Sequence, residues 1–143
     1  MKINSRFIKN TLFIIIFLIS FTLFSQEIKM EKEELAKVLC KDWRINRMLV
    51  NGEEVLLSES FLNTSDMEFK TDQTYLEKLV TEKTVKGIWN YNVEKHCVEL
   101  FMENKLIGTI KSVDLEKLVY IPFLDENAKK FMKSAEIHLS PAN

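Results

Sequence analysis

The chain has 143 residues, 46% of them hydrophobic, and its 20 basic and 21 acidic side chains leave a net charge of -1. The cations are interspersed with acids rather than gathered, which excludes the basic footprint of a nucleic-acid binder and a polybasic membrane patch. With three glycines and two histidines there is no glycine-rich phosphate loop and no HExxH-type metal motif.

Residues 1 to 10 carry Lys2, Arg6 and Lys9 without an acid, and residues 11 to 24 run without a charge. Those are the n-region and h-region of a secretory signal. A helix of that apolar run would span only about 21 Å, short of the roughly 30 Å hydrocarbon core, so a cleaved signal is preferred to a permanent anchor. Ser25 ends the apolar run and Gln26-Glu27 restore polarity, which divides the chain into a signal peptide, 1–25, and one domain, 26–143. The expectation is a periplasmic or extracellular protein that meets the membrane only transiently, through its signal. Lys2, Arg6 and Lys9 leave with that signal, so 17 basic residues then face 21 acidic ones, a net charge of -4.

In the remaining domain, Leu35, Ala36, Val38 and Leu39 recur at helical spacing, which predicts a short amphipathic helix over Lys32–Cys40. Strands follow at Trp43–Val50, Asp66–Lys70, Thr74–Val80, Lys86–Val93, Cys97–Glu103, Leu106–Val113, Leu118–Phe123 and Glu136–Ser140, each rich in β-branched and aromatic residues. Short connections, Asn51-Gly52 foremost, force successive strands to lie side by side and antiparallel. The longer Glu53–Ser65, with Val55, Leu56, Leu57, Phe61 and Leu62, is expected to pack as a lid or short helix. Trp43–Val50 changes hydrophobic phase near Arg47, which predicts a β-bulge. Residues 125–133 form a charged excursion, with Phe131 and Met132 expected to touch the core. The fold class is all-β: an antiparallel up-and-down barrel of about eight strands, closed to remove its edges, with a short N-terminal helix.

Cys40 and Cys97 enter an oxidising compartment on this reading, where a disulfide is the default; two buried thiols are the alternative. Their spacing is neither a CxxC redox motif nor a zinc pattern. His96 falls in a turn and His138 on the last strand, both expected to face solvent. Asn63-Thr64-Ser65 matches a glycosylation sequon, informative only in a eukaryotic secretory pathway. No GxSxG or assembled acid–base pair is present, so no catalytic residue, metal or cofactor is assigned.

The stretches Lys41-Asp42-Trp43, Met67-Glu68-Phe69-Lys70-Thr71-Asp72-Gln73-Thr74-Tyr75 and Gly87-Ile88-Trp89 together resemble the small secreted bacterial lipocalin-like domains. That family opens its first strand with Gly-x-Trp and repeats the motif later; here Lys41 stands where the first glycine would be. The resemblance implies an eight-stranded barrel with one end covered by the helix, which would place Cys40 and Cys97 together at that end. Trp43, Phe69, Tyr75, Trp89, Leu100 and Ile110 are then expected inside the barrel. Two functions follow, ligand binding first and an interaction module as its alternative. Either the interior holds a small apolar or amphipathic ligand against these residues, or it is filled and the protein is an interaction or structural module for a protein partner. The scarcity of glycine and the many large side chains favour a filled interior.

Overall fold

The computed structural model describes residues 27–58, 66–78 and 83–142. The segment 1–25 expected to be a signal, Phe61 and Leu62, the sequon at Asn63 and the strand end expected at Leu79-Val80 lie outside the described residues. Among those described, one α-helix, α1 (Lys32–Leu39), precedes the strands β1 (Asp42–Val50), β2 (Glu53–Val55), β3 (Asp66–Phe69), β4 (Thr74–Lys78) and β5 (Thr84–Asn92). There follow β6 (Cys97–Met102), β7 (Lys105–Val113), β8 (Leu118–Pro122), a 3-10 turn at Ala128–Lys130, and β9 (Ala135–Pro141).

Turn chemistry dictates the succession. Asn51 and Gly52 both adopt positive φ, 54° and 85°, the conformation that suits a two-residue hairpin to the twist of its strands. Glu103 and Asn104 do the same between β6 and β7. In two further turns an aspartate side chain closes the loop: Asp72 Oδ1 accepts from the Thr74 amide at 2.9 Å, and Asp114 Oδ1 from the amides of Glu116 and Lys117 at 2.8 Å.

All neighbouring strands are antiparallel, and β1 pairs with β9 along Trp43–Val50, so β1 and β3 through β9 close into an eight-stranded barrel. Because β9 occupies one edge of β1, the short β2 and β3 lie end to end along the other: β2 against Met48–Val50, β3 against Asp42–Arg44. Residues Glu53–Val55, expected within a lid or helix, are therefore an extra strand, because the Asn51-Gly52 turn folds them straight back onto β1. The expected irregularity near Arg47 is present as a register shift between Ile45 and Arg47. Trp43 and Ile45 point inward before it, and Asn46 and Arg47 are both exposed across it.

The helix covers one end of the barrel, with Leu35 and Leu39 fully buried. Trp43 Nε1 donates to the Leu39 carbonyl at 2.9 Å, which ties the last helical turn to the first strand. Ahead of the helix, the Ile28 amide donates to the His96 carbonyl at 3.0 Å, and its carbonyl accepts from Tyr91 Oη at 2.8 Å. At the opposite end, Asn51 Oδ1 accepts from the Lys133 and Ser134 amides, clamping the β1–β2 hairpin to the end of the β8–β9 excursion. Phe131 in that excursion is 82% exposed and does not reach the core: the 3-10 turn directs its side chain to solvent.

Candidate functional site

Each of the eight barrel strands places one side chain in a sealed central section. Trp43, Phe69, Tyr75, Trp89, Leu100 and Ile110 come from β1, β3, β4, β5, β6 and β7, and Leu118 and Leu139 from β8 and β9; none is more than 2% exposed. The six residues expected inside are thus brought together. Their polar handles turn to the wall: Trp89 Nε1 donates to the Lys70 carbonyl at 3.0 Å, as Trp43 does to Leu39. Phe69 and Tyr75 stack with centroids 5.7 Å apart. The Tyr75 ring lies across Gly87, and the Tyr120 ring across Gly108.

One polar trio departs from this apolar fill. The buried Tyr75 hydroxyl has no hydrogen-bond partner, and burial, with the Glu77 carboxylate adding, pushes its pKa up to about 12. Burial also raises the Glu77 carboxyl. Tyr120 is raised further still, first by burial and then by Glu77 and Tyr75, while its hydroxyl donates to the Ile107 carbonyl at 3.3 Å.

Cys40 follows the helix and Cys97 opens β6, so both stand at the helix-covered end, as the topology implied. They are free thiols, half-buried. Burial raises both pKa values, with Asp72 adding at Cys40 and Glu99 at Cys97 against a smaller opposing effect of Lys95. Raised thiols disfavour the nucleophilic thiolate.

His96 occupies the turn expected for it, at φ 49°, but is half-buried there, with its Nδ1 covered. His138 does not stay in solvent. It points away from the barrel interior, yet only 8% of it is exposed. Its strand neighbours explain why: Ser112, Val119, His138 and Arg47 form one row across β7, β8, β9 and β1. Register shifts flank this row on both sides, at Ile110/Ser112 in β7 and Ile45/Arg47 in β1. Bulges bend strands and re-aim side chains. Here they frame a groove of about 310 Å³ lined by Arg47, Lys111, Ser112, Lys117, Val119, Glu136 and His138. A second hollow of about 440 Å³ adjoins it, sharing Arg47, Lys117 and His138 and adding Asn46 and Glu116.

Within the groove, Glu136 Oε1 lies 2.6 Å from His138 Nε2, close but poorly aligned for a hydrogen bond. Burial is the main cause that lowers the His138 pKa, with Lys117 and Arg47 acting the same way and Glu136 opposing them. A carboxylate beside an imidazole resembles a catalytic dyad, but Ser112 is separated from His138 by the intervening Val119 strand, roughly 9–10 Å at ordinary strand spacing. That is beyond the reach of a nucleophile–base hydrogen bond. Sequence reasoning missed this groove because its cations come from three separate places in the chain. Their only local signal was the phase change near Arg47.

A third hollow, about 460 Å³ and mostly apolar, lies beneath the β8–β9 excursion against Ile121, Pro122, Phe123 and Leu124. Among the described residues no group of three or more His, Cys, Asp or Glu side chains could hold a metal ion.

A crystal structure of a DUF4847 family protein from Bacteroides vulgatus is similar to this chain with a TM-score of 0.52 and 12% identity, over 75% of this chain and 96% of that one. At that identity the likeness shows the fold alone, a small antiparallel barrel. No protein-family model matches the chain, and no curated protein matches it.

Proposed function

We propose that this chain is an exported, lipocalin-like barrel whose interior is core, and that it is a non-enzymatic interaction module working through its loops and edges. The observation that carries this reading is the central section, where one large side chain from every barrel strand is buried to 2% exposure or less. A lipocalin-like carrier would need a connected apolar cavity of about 300 Å³ or more inside the barrel. Large apolar side chains stand instead on the surface: Leu56 is 98% exposed beside β2, and Phe131 projects from the excursion. Leu57 packs against the core, and Phe61 lies outside the described residues. The charge-free run at residues 11–24 supports export. The shared end of Cys40 and Cys97 supports a bridge between them in an oxidising compartment.

Native mass spectrometry of the protein purified from its own compartment tests all three parts. The expected spectrum is a chain beginning at Gln26, with no small molecule released on denaturation and, without reductant, two hydrogens missing. A discrete extra mass released by denaturation would overturn the filled-barrel reading; a chain retaining Met1 would overturn export.

A further inference from the structure

We propose that the groove on the outer wall of the barrel, between Arg47, Lys111, Lys117 and His138, is a binding site for a small soluble oxyanion of the phosphate or carboxylate class. It lies on the barrel wall across β7, β8, β9 and β1, apart from the surface side chains Leu56 and Phe131. The inference therefore stands or falls separately from the reading of the barrel interior.

Four observations converge. First, the hollow is built: strand irregularities on both sides of the Ser112–Val119–His138–Arg47 row open about 310 Å³ in the barrel wall. Second, its lining is rich in donors. A guanidinium and two ammonium groups surround an imidazole, and such groups bind oxyanions through charge-assisted hydrogen bonds. Third, the cations are available. Among the described residues neither Lys111 nor Lys117 forms an ion pair, and Arg47 Nε reaches only Glu54 Oε2, at 3.8 Å on the exposed rim. Fourth, the His138 side chain is nine-tenths buried on an outward position that serves no apolar core, with the Glu136 carboxylate 2.6 Å from its Nε2.

The acids in the lining are consistent with this. Glu136 is turned to His138 at 2.6 Å, where it can hold the imidazole, and Glu116 is an exposed residue of the β7–β8 turn. Arg47 supplies a planar fork suited to two oxygens at once, and the lysines supply point charges. Bound negative charge favours protonation of His138, which faces Arg47 from β1, Lys111 from β7, Lys117 from the β7–β8 turn and Glu136 from its own strand.

Isothermal titration of the purified protein in chloride buffer, with inorganic phosphate in one arm and succinate in the other, tests the site. Saturable binding of at least one of them is expected, and the stronger arm identifies the class. An Arg47→Gln/Lys117→Gln double variant with an unchanged circular dichroism spectrum should bind at least about ten-fold more weakly. Lys37→Gln/Lys105→Gln, altering cations elsewhere, should bind as the parent does. A histidine resonance of His138 that shifts on titration, and does so less in the double variant, would place the anion in the groove. No saturable binding in either arm, or binding that the double variant leaves intact, would overturn the proposal.

Discussion

The ring of Tyr75 lies so close over Gly87 that a β-carbon on the glycine would come within 2.3 Å of Tyr75 Cε1. The two residues are directly paired across β4 and β5, and the same hypothetical carbon would sit 2.5 Å from the Phe101 carbonyl oxygen. One obstruction is a ring held by the sealed core and the other is backbone, so neither can move aside cheaply. The glycine of Gly87-Ile88-Trp89 is therefore a space requirement of its neighbour, while Trp89 supplies the bulk two residues on.

Gly87→Ala is accordingly expected to destabilise the fold by about 2 kcal/mol or more through overpacking. Urea unfolding followed by tryptophan fluorescence reads this directly. An unchanged midpoint would show that the ring is not held against the strand.

Tyr75→Phe should act in the opposite direction. It keeps the ring over Gly87 and removes a buried hydroxyl that has no partner, a gain of about 1 kcal/mol. The pH dependence adds a second readout. The Tyr75 hydroxyl titrates at 10.0 ordinarily and is pushed up to about 12 in the fold, chiefly by burial. Its contribution to stability is whole below pH 10 and is lost as pH rises through about 12, because the unfolded chain gives up the proton first. Stability measured at pH 8, 10 and 11 should fall more steeply in the parent than in Tyr75→Phe.

Trp43→Phe should cost about 1–3 kcal/mol, combining a smaller fill with the loss of the indole hydrogen bond to the Leu39 carbonyl, which keeps only its bond from the Lys41 amide. Because the lost bond joins α1 to β1, amide exchange in Leu35–Leu39 should rise more than exchange in β5. Equal effects in both places would mean the helix is held by packing alone.

For the reduced protein, alkylation by iodoacetamide at pH 8 should be slow at both Cys40 and Cys97 and accelerate on denaturation. Burial raises both thiols, so less thiolate is present than in an unfolded chain. Equal rates in the folded and denatured protein would contradict the buried setting.

The barrel was legible because its signals are local. Asn51-Gly52 needs positive φ at both positions, and Gly87, Trp89 and Tyr91 against Lys86, Asn90 and Asn92 keep a period of two residues that only Ile88 breaks. Such features act over a few bonds and survive without tertiary information. The six interior residues were legible for the same reason: once strands are placed, parity assigns the faces. Glu53–Val55 was misread because three exposed residues carry too short a pattern to mark a strand, and only the turn before them makes them one.

The sequence by itself determined the order of the strands, their antiparallel succession and which side chains fill the barrel, since each follows from turn conformation and side-chain alternation. Closure through β1 and β9 was decided in three dimensions, because it joins segments some ninety residues apart whose pairing no local preference encodes. The burial of His138 and the gathering of Arg47, Lys111 and Lys117 around it were decided there as well. They depend on strand neighbours and on two register shifts, and long-range register is a property of the closed sheet.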